Sequence, residues 1–173
     1  LAASAMAAPQ RESFDPETSQ ASFAVSLRLA GDVDGRFHAI EGELEPADGK
    51  QWRVQVRVDA RELEMDGPGW MLRSTRSRSF LDVERHPEIG FVSEPFPRSL
   101  LTSGGPLAGE LTLRGRSRPV TFTLAPSDCK RPGHGCHIRV YGGVSRRSFG
   151  MHSQRLWVGD VVGFDFRVRL RQP

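Results

Sequence analysis

Apolar residues recur at every second position over most of this chain, and that period dictates strands rather than helices. The cleanest run sets Trp52, Val54, Val56 and Val58 against Arg53, Gln55, Arg57 and Asp59. Phe23, Val25, Leu27 and Leu29 repeat the pattern, as do Ile89 with Phe91 and, later, Val162, Phe164, Phe166, Val168 and Leu170. In "LTLRGRSRPVTFTL", Leu111 to Leu124, alternation on both sides of Gly115 and Pro119 reads as a β-hairpin. "AGDVDG" and "ADGK" read as turns, and Gly42 inside "RFHAIEGELE" reads as a bulge. Only "GWMLRSTRSRSF" breaks the period. Trp70, Leu72 or Arg73, and Ser77 fall at helical spacing there, which predicts one short helix from Gly69 to about Phe80. "PRSLLTSGGP" and "RRSFGMHSQ" read as loops. About eight strands with no βαβ spacing make an all-β fold, and an antiparallel eight-stranded barrel removes exposed sheet edges most simply. A two-sheet sandwich is the alternative.

At 173 residues the chain suits one domain, taken as 13–173, with residues 1–12 as an arm. Ala5-Met6-Ala7 in "LAASAMAAPQ" fits a small-x-small cleavage pattern, so the arm reads as a signal-peptide remnant or a disordered segment. The net charge of +3 comes mostly from Arg residues that alternate with apolar partners on strands. That pattern makes solvated strand faces, and with a single Tyr for base stacking it gives no nucleic-acid surface. No apolar run approaches the ~18 residues of a transmembrane helix.

Cys129 and Cys136 flank "KRPGHG", whose Pro-Gly turn would set them face to face across adjacent strands as a disulfide. Closing so short a loop contributes roughly 2.5 kcal/mol at most. A metal site using His134 and His137, and a pair of inert thiols, are the alternatives, although the spacing matches no zinc motif well. No nucleophile elbow, Cys/His pair or HExxH helix is present, so no enzyme activity, metal or cofactor is expected. The inward set of the strands is Val25, Leu27, Val54, Val56, Phe91, Leu113, Phe122, Val140, Phe164 and Phe166. These residues either fill a core or line an apolar channel, since a barrel of this size holds its own side chains or one small ligand. Gly142 and Gly143 either leave room beside such a channel or mark a bulge.

Four stretches, in order, carry a resemblance to a known family: "FLDVERHPEIGFVS" (80–93), "LAGELTLRGRSRPVTFTL" (107–124), "RRSFGM" (146–151) and "VGDVVGFDFRVRL" (158–170). The chain resembles the YceI family of periplasmic, polyisoprenoid-binding, lipocalin-like proteins. The resemblance implies a lipocalin-like barrel around a long apolar channel, holding an isoprenoid lipid such as a polyprenyl phosphate or a quinone tail, without catalysis. It implies a periplasmic location and leaves a homodimer and a membrane-protein partner open. Arg146 stands at the Arg of the family's Arg-x-x-Phe-Gly-Met loop. It is either a cation at the ligand head group or a structural donor across the loop, to Asp160 or Asp82. The stretch "ARELEMDGPGWMLRSTRSRSF" departs from the family pattern. A filled barrel acting as a periplasmic protein-interaction module is the second reading.

Overall fold

A computed structural model describes residues 6–38 and 40–173. The cleavage pattern Ala5-Met6-Ala7 and the arm that carries it fall partly outside the described residues. Among the described residues, twelve strands form one antiparallel sheet: β1 (Glu12–Ser13), β2 (Gln20–Leu27), β3 (Gly31–Phe37), β4 (Ile40–Pro46), β5 (Gln51–Asp59), β6 (Leu63–Met65), β7 (Glu88–Ser93), β8 (Phe96–Pro97), β9 (Gly105–Leu113), β10 (Arg116–Leu124), β11 (Ile138–Ser145) and β12 (Val158–Val168). The strand order is β1-β4-β5-β7-β9-β10-β11-β12-β2-β3-β6, with β8 beside β5. β3 runs almost directly into β4, and β5 reaches β6 through one 3-10 turn at Ala60–Glu62. β3 therefore pairs β2 and β6, while β4 pairs β1 and β5. The sheet curls on itself, and its inner residues make the core.

The expected count of eight strands is corrected to twelve. One expected strand is split near His38, and β6 follows the turn after Asp59 where no strand is expected. β1 and β8 are two residues long, too short to show a period. "AGDVDG" is mostly strand, the turn having moved back to Arg28–Ala30. The helix starts at Gly69 as expected but ends at Arg76 (α1, Gly69–Arg76), and a second one-turn helix, α2 (Leu100–Ser103), interrupts the "PRSLLTSGGP" loop.

Gly42 is no bulge. It pairs in register with Val56, and a Cβ there would overlap the Phe14 ring. Gly142 likewise keeps register, opposite Phe164, and its missing side chain makes room for Phe122, whose Cδ1 lies 2.9 Å from where a Cβ would stand. The smallest residue is thus spent on seating a large ring. Gly142→Val should cost about 1–3 kcal/mol by overpacking, read as a lower denaturation midpoint at unchanged urea m-value.

Residues 12–15 tie one end of the sheet together. Phe14 N–H donates to Gly42 O (2.8 Å), Asp15 N–H to Arg169 O (2.8 Å) and Arg171 N–H to Ser13 O (2.9 Å). Glu12 accepts from Arg98 Nη1 at 2.6 Å and contacts His134 Nε2 at 2.9 Å. Partial burial works to raise the Glu12 carboxyl, but the hydrogen bonds to Arg98 and His134 outweigh it and hold the group below its usual range. A depressed carboxyl contributes stability above its unfolded pKa and loses it as pH falls through the folded one. Glu12→Gln should therefore cost about 1 kcal/mol at pH 7, solvent screening included, and the cost should shrink in urea melts as the pH is lowered below the ordinary carboxylate range.

Candidate functional site

The interior is divided in two. One end encloses an apolar cavity of about 410 Å³ and the other a residual void of about 60 Å³. Four phenylalanines stand between them. The Phe122 ring meets Phe91 at 5.2 Å, Phe166 at 5.9 Å and Phe164 at 6.3 Å between centroids, all edge to face. Phe164 and Phe166 stack on each other at 5.9 Å.

The larger cavity is walled by β2, β3, β12 and α1. Phe23, Val25 and Leu27 alternate inward from β2, Val33 and Phe37 from β3, and Val162 and Phe164 from β12. Phe23 lies across Gly35 of β3, where a Cβ would collide with its ring, so β3 presents a flat wall at that point. Three segments form the mouth. The β2–β3 turn brings Leu29 and Ala30, α1 brings Trp70, Met71, Ser74 and Thr75, and the turn before β12 brings Gln154 and Trp157. Arg28 N–H donates to Trp157 O at 2.9 Å and locks the first of these to the third.

Of the ten expected lining residues, Val25, Leu27, Leu113 and Phe164 face the larger cavity. Val54, Val56, Phe91, Phe122, Val140 and Phe166 surround the small void instead. The inward assignment holds for all ten, but six lie in the half that is packed nearly solid. Trp70 and Trp157 stand at the mouth, whereas Trp52 lies away from it, with the Arg98 guanidinium 4.4 Å over its ring. Val33, Phe37 and Met65 were missed because a turn reading over "AGDVDG" hid the first, the break near His38 hid the second, and β6, only three residues long, hid the third.

Arg146 opens a 3-10 turn, Arg146–Phe149, is 2% exposed and lines the same cavity. Its Nε donates to Gly159 O (3.0 Å), its Nη1 to Met151 O (2.9 Å) and Ser153 O (2.6 Å), and its Nη2 to Val158 O (3.1 Å). It ties the loop after β11 to the start of β12. Asp160 and Asp82 are not its hydrogen-bond partners. Asp160 accepts from Ser145 Oγ at 2.6 Å and from Arg147 N–H at 3.2 Å. Burial pushes the Arg146 guanidinium below its usual range, with the more distant Asp160 opposing. Four of its five N–H groups are engaged, leaving one on Nη2 without a protein acceptor.

Cys129 and Cys136 are free thiols in the irregular loop between β10 and β11, not on adjacent strands as expected. The two side chains are nonetheless in hydrogen-bond contact, which pushes the Cys129 thiol up. Burial works to raise the Cys136 thiol, but hydrogen bonds with Cys129 and Ser127 outweigh it and hold that thiol down. The neighbouring imidazoles are turned elsewhere, His134 to Glu12 and His137 to the Thr18 carbonyl at 3.1 Å. Among the described residues, no three His, Cys, Asp or Glu come together as metal ligands, and no helix is long and apolar enough to cross a membrane.

The same fold occurs in solved structures of low identity. Burkholderia cenocepacia BcnA is 16% identical with a TM-score of 0.73, covering 92% of this chain and 99% of its own. A polyisoprenoid binding domain from Saccharophagus degradans, implicated in plant cell wall breakdown, is 11% identical with a TM-score of 0.68, covering 94% and 98%. The Campylobacter jejuni YCEI protein is 11% identical with a TM-score of 0.62, covering 80% and 85%. No curated protein matches the sequence. A family profile described as YceI-like domain matches residues 13–170, from the first paired strand to the last core leucine, and the chain belongs to that family.

Proposed function

We propose that this protein is a non-enzymatic carrier that holds an isoprenoid-type lipid, the tail of a polyprenyl phosphate or a quinone, in the larger cavity. The observation that carries this reading is an open apolar chamber of about 410 Å³ in a chain whose opposite half keeps only about 60 Å³. Interiors are ordinarily packed to crystal density, so space of this size has a use beyond folding. An apolar cavity of about 150 Å³ takes up one benzene, so this one holds on the order of 15–20 carbons, three or four isoprene units. A longer tail extends out of the mouth or displaces the phenylalanine partition. A head-group oxygen near Arg146 would meet a buried positive charge and the one unused N–H. The polyisoprenoid-binding description of the Saccharophagus degradans domain supports the same ligand class.

Binding of a fluorescent farnesyl or geranylgeranyl analogue tests the reading, together with solvent extraction of the native protein and mass analysis of the extract. Leu27→Trp, which fills the cavity from β2, should weaken binding by about tenfold or more, a change of about 1.4 kcal/mol or more, and leave the thermal melt near that of the parent. A parent protein that binds no long apolar ligand at any soluble concentration overturns the carrier in favour of the interaction module.

We place the carrier in the periplasm. The adjoining thiols support this, since an oxidising compartment would convert them to a disulfide. Alkylation of protein from its native compartment, without prior reduction, should label neither cysteine. Two labelled cysteines would remove the thiol argument for export.

A further inference from the structure

Four of the eight large hydrophobic side chains exposed among the described residues stand on the cavity mouth or beside it: Leu29 (82% exposed), Leu156 (73%), Trp70 (58%) and Trp157 (56%). They come from three separate segments, 28–30, 69–79 and 152–157, which the fold brings to one rim. Packing within the protein does not account for them. An exposed apolar patch around the opening of an apolar cavity marks a contact surface.

The charge of the rim says what the contact is. The same three segments carry five arginines, Arg28, Arg73, Arg76, Arg78 and Arg155, and no Asp or Glu. Among the described residues none of the five makes an ion pair, a state they share with others such as Arg53, Arg85 and Arg118; what sets them apart is that they cluster beside the exposed tryptophans with no acid in the same segments. Tryptophan rings beside unpaired arginines match the boundary of a bilayer, where indoles settle at head-group depth and guanidinium groups meet anionic phosphates.

We propose that the rim docks on the surface of an anionic lipid bilayer, with Trp70, Trp157, Leu29 and Leu156 in the interfacial layer and the arginines on the head groups. The cavity then opens directly onto the acyl region. This rests on the carrier reading, because a hydrocarbon tail passed through water loses the favourable term that holds it at both ends of the transfer. Docking mouth-first removes the aqueous step.

The test uses the whole protein and extruded vesicles of phosphatidylcholine alone or mixed with phosphatidylglycerol. Sedimentation should show partition onto the mixed vesicles, falling as salt is raised. Bromine-labelled acyl chains should quench Trp70 and Trp157 but leave Trp52 unaffected, which the Trp70→Phe/Trp157→Phe variant, retaining only Trp52, isolates. Arg155→Glu combined with Leu156→Asp changes two exposed residues outside the cavity lining and should lower partition roughly tenfold or more, with an unchanged melt. Partition independent of phosphatidylglycerol, or quenching of Trp52 equal to that of the other two, overturns the proposal. So does a dimer in solution that Leu156→Asp dissolves in a protein that ignores vesicles, which would give the rim to a second copy. Binding of the farnesyl analogue without vesicles separates the two ideas. If it persists while docking fails, only the docking inference falls, and if it is absent, the carrier reading falls first.

Discussion

Arg146→Met is expected to destabilise the protein by about 3–5 kcal/mol, through buried carbonyls left without donors at about 1–3 kcal/mol each, partly offset by the hydrophobic fit of the new side chain. The guanidinium serves four carbonyls, those of Met151, Ser153, Val158 and Gly159, from one buried position. No neutral side chain can replace that fan. Arg146→Lys should recover only a fraction, because an ammonium gathers its donors on one atom and cannot span acceptors as the planar fork does. Urea denaturation followed by circular dichroism reads the loss. Ligand affinity, measured at temperatures where the variant is still folded, should fall less than the stability does. A variant that melts with the parent yet releases its ligand would make Arg146 a head-group residue and nothing more.

Phe122→Ala should cost about 3–5 kcal/mol, the range for emptying a filled aromatic site. Phe122 is 1% exposed and is the common neighbour of Phe91, Phe164 and Phe166. The residue stands on the partition, so the change does more than leave a hole. Phe164 borders the larger cavity and Phe166 the small void, and removing the ring packed edge-on against both opens one space toward the other. The variant should accept longer isoprenoid analogues than the parent, even as its melting temperature falls. Affinities for farnesyl, geranylgeranyl and longer analogues, measured in parent and variant, check this. Unchanged chain-length preference in the variant would show that the partition does not set ligand length.

How far the sequence carried these conclusions differs by element. Alternation placed all ten inward residues correctly, because the period of a strand fixes the face of every residue once one is known. It could not say which end of the interior stays empty. Cavity and core are lined by the same residue types, and the difference lies in how far opposite walls stand apart. The mouth was the hardest part to read, since α1 and the turn at 152–157 follow no period of two. The break at His38 escaped because alternation resumes on the far side of it. Gly42 was misread, and Gly142 left between two readings, for a related reason. A glycine in a strand signals close approach or irregularity alike, and only the partner ring, Phe14 or Phe122, tells which.

The division of the interior also bears on how such a fold changes its ligand over generations. The half around the small void holds the ties of residues 13–15 to Gly42, Arg169 and Arg171, the Glu12 clamp and most of the aromatic contacts, so the stability reserve sits there. Substitutions around α1 and the mouth draw little on that reserve. The stretch 60–80, whose sequence reads as departing from the family pattern, includes α1 and the mouth residues Trp70 and Met71. New ligand preferences can therefore be sampled at one pole while the other keeps the chain folded, much as loop changes on a rigid scaffold alter what it recognises.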